Sequence, residues 1–99
     1  MIKLMMTWNI REGKEAEYLE FLNRDFVKQL EGMGIQPTDA WYQVWGHGKQ
    51  VLAGGAASTY EEMEKALESE AWQSFQGKLL SYVTDFEVRV VEGTGEFQL

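Results

Sequence analysis

The hydrophobic period of this chain changes near residue 11, and the two periods specify different elements. Residues 2–10, IKLMMTWNI, alternate as in a β-strand, with one wholly apolar face and one mixed face. Over 12–31 the apolar residues recur at steps of three and four, which predicts an amphipathic helix. Its stripe comprises Leu19, Leu22, Phe26, Leu30 and Met33, widened by Tyr18, Phe21 and Val27. A strand with one apolar face before such a helix predicts a sheet with helices on one side.

A β-hairpin is predicted in the middle of the chain. Residues 40–45, AWYQVW, and 50–57, QVLAGGAA, are typical of two antiparallel strands, and GHGK at 46–49 is typical of the turn between them. The two glycines inside the second strand weaken it. They predict a bulge or the close approach of a bulky group, for which the indoles of Trp41 and Trp45 are candidates.

Two further helices and one strand are predicted after the hairpin. Ser58 or Thr59 can cap the first helix, because a glutamate follows each of them by three residues. A break after this helix precedes a second one, which Ser69 can cap. Residues 81–92, SYVTDFEVRVVE, alternate as the last strand, and a short tail occupies 92–99.

The predicted order of elements is β-α-β-β-α-β, with the second helical region in two parts. This order is the ferredoxin-like arrangement of an α+β fold: one domain over 1–99, with a four-stranded antiparallel sheet and its helices on one face. The uncovered face would carry tryptophans, methionine and valine beside Arg89 and Gln43. Because exposed apolar patches usually mark interfaces, we expect this face to pack on a second copy, giving a homodimer.

The charge balance argues against several classes of partner. The net charge is −7, from 16 acidic and 9 basic residues. Nucleic-acid binding depends on neutralisation of phosphates by Lys and Arg, and anionic membranes attract basic segments, so neither partner is expected. No segment approaches the ~20 apolar residues of a membrane span, and the first residues lack the apolar region and cleavage site of a signal peptide. We therefore expect a cytoplasmic protein.

Metal binding is not expected either. The chain has no cysteine and one histidine, which excludes the usual zinc ligand sets. A carboxylate site for a hard cation remains, but the acidic residues at 61–64 and 68–70 fall on predicted helix faces, where they are expected to contact water.

The single histidine, His47, lies between two glycines in the predicted turn. Glycines in such a turn supply positive φ angles, so we interpret His47 as a solvated turn residue. It is also the weak candidate for a catalytic residue, since an imidazole can act as a general base if the loop folds over a pocket.

A second set of candidate site residues is aromatic. These side chains could form the walls of a pocket for a flat organic molecule: Trp8, Trp41, Tyr42, Trp45 and Trp72. Asn9, Gln43 and Arg89 would be its polar anchors. The alternative is that the aromatic residues form core and dimer contacts and that Arg89 pairs with Glu87 across the dimer.

Three stretches carry a resemblance to a known group of proteins: NIREGKEAEYLEFL at 9–22, YQVWGHGKQVLAGGAASTYEEMEKAL at 42–67 and EAWQSFQGKLLSYVTDFEVRVVE at 70–92. Here the chain resembles the dimeric α/β-barrel superfamily, near the antibiotic-biosynthesis monooxygenases, the NIPSNAP-like proteins and the stress-responsive barrel proteins. The resemblance implies two sheets closed face to face into a barrel. It also implies small-molecule binding within the barrel or between sheet and helices.

No cofactor is expected. Haem-handling relatives supply an axial histidine from a helix or from the sheet, whereas His47 falls in the predicted turn, so haem is not expected. Two hypotheses follow. One is a homodimeric small-molecule-binding protein, acting as a metal- and haem-independent monooxygenase or isomerase on a small aromatic or carbonyl compound. The other is a non-catalytic dimeric binding or interaction protein.

Overall fold

A computed structural model of the protein describes residues 1–42 and 49–92. Its strands are β1 (Ile2–Ile10), β2 (Gln36–Tyr42), β3 (Val51–Ala57) and β4 (Val83–Glu92). Its helices are α1 (Glu15–Phe21), α2 (Val27–Gly32), α3 (Tyr60–Leu67) and α4 (Glu70–Leu79). A π-helical turn, Leu22–Phe26, joins α1 directly to α2.

The four strands form one sheet in the order β2-β3-β1-β4, and every neighbouring pair is antiparallel. This order and the order of elements along the chain confirm the predicted ferredoxin-like fold. β1 is central, because both β3 and β4 pair with it over most of its length.

The core formed by the described residues lies on one side of the sheet. Alternate residues of β1 are buried there, namely Ile2, Leu4, Met6 and Trp8. They belong to one hydrophobic cluster with Phe21, Leu30, Phe75 and Leu79 of the helices. The opposite face of β1 carries Met5 and Thr7, which are half-buried. The helices therefore cover the apolar face of β1 and leave its mixed face open, as the alternation predicted.

Polar and glycine signals fix the helix ends. Gly34 has a φ of +85°. The Gly34 N–H donates to the Glu31 carbonyl, and the Ile35 N–H donates to the Leu30 carbonyl. These two hydrogen bonds end α2 in a Schellman motif. Of the two residues predicted to cap α3, Thr59 is the N-cap. Its hydroxyl accepts a hydrogen bond from the Glu62 N–H at 3.2 Å. The hydroxyl of Ser69 caps α4 in the same way at 3.1 Å.

β2 begins four residues earlier than the strand predicted at 40–45. It includes Pro37, which lacks an N–H group, and a proline is tolerated here because β2 is an edge strand. Among the described residues, no helix is long and apolar enough to cross a membrane.

Candidate functional site

The sheet separates the candidate residues onto its two sides. Trp8 is fully buried on the helix side, and Tyr42 is on the same side, since it is paired with Val51 as Trp8 is. Asn9, Trp41 and Arg89 belong to the open side by the alternation of their strands. The structure therefore does not bring the two groups together. Gln43, Trp45 and His47 lie outside the described residues.

A pocket of about 240 Å³ lies on the helix side, and we call it the sheet–helix cleft. The face of α1, the π-helical turn and α2 forms one wall, with Leu22, Phe26 and Val27. The edge of the sheet forms the other wall, with residues of β2 and β3. Most of this lining is apolar. The lining also includes Trp8 and Tyr18, together with Thr38 and Asp39 of β2.

The π-helical turn determines which helix residues reach the core and the cleft. The buried residues of this segment are Tyr18, Phe21, Phe26 and Leu30, so one step in the series is five residues long. A π-helical turn accommodates that longer step, and such turns are frequent at functional sites. The predicted stripe included Leu19, which is instead 54% exposed. That part of the prediction is wrong because it assumed a uniform α-helical period along the whole segment. Before the π-helical turn, that period assigns Leu19 to the buried face of α1, whereas Tyr18 and Phe21 are the buried residues there.

The β2 side of the cleft has a bulge beside a pair of glycines in β3. The register between β2 and β3 shifts between Pro37 and Ala40. A Cβ atom on Gly54 would lie 2.6 Å from the hydroxyl oxygen of Thr38, and one on Gly55 would lie 2.5 Å from a methyl carbon of Ile35. The predicted close approach is thus present, whereas the extra residue of the bulge lies in β2 and not in the glycine-containing strand. The groups that approach are Thr38 and Ile35, and not the indole of Trp41, which is paired with Leu52.

A buried hydrogen bond lies at the floor of the cleft. The indole Nε1 of Trp8 donates to the hydroxyl oxygen of Tyr18 at 3.0 Å, and the two rings are packed edge to face with centroids 6.4 Å apart. Tyr18 is only 2% exposed. Burial raises the pKa of Tyr18, the Trp8 hydrogen bond opposes this, and the electrostatic influence of Tyr42 adds a smaller increase. The Tyr18 hydroxyl is therefore neutral at physiological pH.

The open side of the sheet has a larger depression, of about 440 Å³. We call it the open-face depression. Its lining combines apolar and charged side chains, namely Met5, Thr7, Leu52, Glu87, Val88 and Arg89. Glu87 is paired with Lys49 at 3.2 Å. Within residues 1–42 and 49–92, Arg89 makes no ion pair.

Asn9 has a structural role at the end of this face. Its amide nitrogen donates to the carboxylate of Asp85 at 3.0 Å, and its amide oxygen accepts from the backbone N–H of Gln50 at 2.9 Å. Asp85 has a φ of +55° at a bulge of β4, so the hydrogen bond helps to hold a backbone conformation that is unfavourable for a non-glycine residue. Both ends of the Asn9 amide thus have protein partners.

No metal-binding cluster is found in the part of the chain that the structure describes: no three His, Asp or Glu side chains there lie close enough together to hold an ion.

Comparison with solved structures places the fold. The chain is 20% identical to a NIPSNAP domain protein of Burkholderia xenovorans, with 99% of each chain covered and a TM-score of 0.69. It is 10% identical to a dabb family protein with a ferredoxin-like fold from Mesorhizobium loti, over 95% of this chain and 97% of the other, with a TM-score of 0.73. A Nitrosomonas europaea protein with a suggested role as an antibiotic biosynthesis monooxygenase is 9% identical. The match covers 95% of this chain and 99% of the other, with a TM-score of 0.68.

These neighbours belong to the groups that the sequence resembles, so the resemblance is confirmed at the level of the fold. No protein-family model matches the chain, and no curated protein matches it by sequence. At this level of identity the likeness concerns the fold and not the activity, because one fold supports many functions.

Proposed function

We propose that the sheet–helix cleft binds a small, flat, largely apolar molecule and that the protein acts on it as a homodimer. The observation that carries this proposal is the pocket of about 240 Å³ between α1 and the edge of the sheet, with apolar walls and a buried hydroxyl at its floor. An apolar pocket with few polar groups is the usual form of a small-molecule site.

The proposed reaction is a monooxygenation or isomerisation of a small aromatic or carbonyl compound that needs neither a metal nor haem. The resemblance to the antibiotic-biosynthesis monooxygenases supports it. So does the neutral Tyr18 hydroxyl, because a hydrogen-bond donor in a water-poor site can stabilise an oxygen on which negative charge develops. The cytoplasmic location expected from the sequence remains part of the proposal.

The open face supports the homodimer. Trp41 is 52% exposed there and is paired with Leu52, which is half-buried, as is Met5 on the same face. An apolar patch with a large aromatic residue, and with an arginine that has no ion pair among residues 1–42 and 49–92, has the composition of an interface core. A second copy of the sheet would cover the open-face depression and offer acidic side chains to Arg89. The cleft opens on the other side of the sheet, so dimerisation would leave it accessible.

A filling variant tests the cleft. One- and two-ring aromatic carbonyl compounds are titrated while chemical shifts of cleft residues are followed by NMR. Wild-type protein is expected to bind, and Ala40→Leu is expected to weaken binding at least tenfold, since Ala40 lines the cleft from an exposed strand. Ala71→Leu is the matched control, because Ala71 is an exposed alanine on α4. Binding unaffected by Ala40→Leu would place the ligand elsewhere and contradict the proposal.

A further inference from the structure

The Tyr18 hydroxyl proton has no acceptor among the residues that the structure describes. A phenol carries one O–H donor and lone pairs that accept. The Trp8 indole donates to the oxygen, and none of the residues in 1–42 and 49–92 accepts the hydroxyl proton. Because burial raises the pKa of Tyr18, the proton stays on the oxygen throughout the physiological pH range. Tyr18 is thus an almost fully buried donor on the lining of a pocket, with no acceptor in the described part of the chain.

The other residues of the lining restrict which ligand group could accept a hydrogen bond from the Tyr18 hydroxyl. None of the described residues that line the cleft is a lysine or an arginine, and Asp39 is among them. A carboxylate ligand would therefore lose its hydration without gaining a cation, which is costly in an apolar site. A neutral carbonyl oxygen can accept from Tyr18 without that cost.

The size of the cleft restricts the rest of the molecule. A dry apolar cavity of about 150 Å³ accepts benzene, and pockets for drug-sized ligands begin at about 300 Å³. A cleft of about 240 Å³ falls between them. It fits a compound with one or two rings.

We infer that Tyr18 determines the specificity of the cleft and that the ligand class is neutral aryl ketones, aryl aldehydes and small quinones. This inference rests on the proposed function and names its substrate class. Trp8 has a positioning role: by occupying one lone pair of the Tyr18 oxygen, it leaves the hydroxyl proton for the carbonyl group. The anchor is thus on the helix side of the sheet, and neither Asn9 nor Arg89 takes part.

Two probes of the same shape test the inference. Acetophenone carries a carbonyl oxygen, and α-methylstyrene carries a methylene group in its place. Tyr18→Phe is expected to weaken acetophenone binding about fivefold, the usual worth of one hydrogen bond, and to leave α-methylstyrene binding unchanged. The carbonyl stretching band of acetophenone bound to wild-type protein should lie at lower wavenumber than in an alkane solvent. In Tyr18→Phe it should return to the alkane position.

The controls keep the outcomes separate. Tyr18→Phe leaves the Trp8 N–H without its acceptor, so the fold is checked by circular dichroism, and the double variant Trp8→Phe/Tyr18→Phe removes both groups. If neither variant folds, the infrared band of acetophenone bound to wild-type protein decides, and an unshifted band overturns the inference. If both probes bind and Tyr18→Phe affects them equally, Tyr18 is not the anchor, although the cleft proposal stands. If neither probe binds wild-type protein, both proposals are wrong.

Discussion

Tyr18 couples the stability of the protein to alkaline pH. The pKa of this hydroxyl is raised in the folded state by burial, whereas an unfolded tyrosine titrates near 10. Above pH 10 the unfolded chain therefore loses a proton that the folded chain retains, and stability falls as the pH rises through the folded pKa. Well below pH 10 the Tyr18 hydroxyl is protonated in both states, so it adds no pH dependence to the stability of the protein.

We predict that urea midpoints measured between pH 9 and 11 decline less steeply for Tyr18→Phe than for wild-type protein. Phe26→Leu is the control, because it disturbs the same aromatic cluster without removing a titratable group. Equal slopes for wild-type protein and Tyr18→Phe would mean that the hydroxyl is as well solvated in the folded state as in the unfolded one.

Gly55 is a residue at which space, and not backbone conformation, requires glycine. An added Cβ would lie 2.5 Å from a methyl carbon of Ile35, which is fully buried and cannot move aside. We predict that Gly55→Ala lowers the free energy of unfolding by about 2 kcal/mol through overpacking. Gly77→Ala is the matched control: this site on α4 has no neighbour within 4 Å, so alanine should stabilise the helix by about 0.5–1 kcal/mol. Denaturant titration of both variants measures the difference, and a loss at Gly77 equal to that at Gly55 would contradict the packing argument.

At the scale of the elements, the strands and caps could be predicted because their signals are local. Alternation identifies the buried face of β1, and a hydroxyl followed by a glutamate at the third position identifies the start of α3. The π-helical turn could not be predicted from a uniform period, and its residues set the rotation of α1. Its sequence signal was the five-residue step from Phe21 to Phe26, which a search for steps of three and four passes over.

The same turn explains how much of the candidate site could be predicted. Trp8 and Tyr42 were selected as pocket aromatics, whereas Tyr18 was assigned only a place in the helix stripe. The contact between Trp8 and Tyr18 depends on the rotation of α1 against the sheet, which is a tertiary property. The close approach at the glycine pair was predicted, but Ile35 and Thr38 could not be identified as the approaching groups without the register of β2.

The junction between α3 and α4 depends on Ser69. Its hydroxyl accepts from the Trp72 N–H at 3.1 Å and donates to the Ala66 carbonyl at 2.6 Å, so it satisfies both a helix start and a helix end. We predict that Ser69→Ala lowers the free energy of unfolding by about 1 kcal/mol. Ser74→Ala, at an exposed position inside α4, should be neutral or slightly stabilising because alanine has the higher helix propensity. Thermal unfolding measures the stability of both variants. Equal losses of stability in Ser69→Ala and Ser74→Ala would rule out a capping role for Ser69.

At the scale of the whole molecule, the sheet has one side covered by helices and one side that residues 1–42 and 49–92 leave uncovered. The last two residues of β2 have their side chains on opposite sides of the sheet, because side chains alternate along a strand. Trp41 is 52% exposed on the open side and Tyr42 is 60% exposed on the helix side. Their similar exposure and opposite orientation make them a matched pair for testing the proposed homodimer.

We predict that wild-type protein sediments at micromolar concentration with about twice the chain mass of 11.4 kDa. Trp41→Ala should raise the dimer dissociation constant by at least tenfold, because a tryptophan buried at an interface is commonly a hot spot. Tyr42→Ala removes a similarly exposed aromatic ring from the other side of the sheet and should leave the dissociation constant unchanged. A wild-type mass of 11.4 kDa would contradict the homodimer. Equal weakening by the two substitutions would instead mean that subunits associate through the edge at β2, and the open-face depression would then stay exposed to solvent.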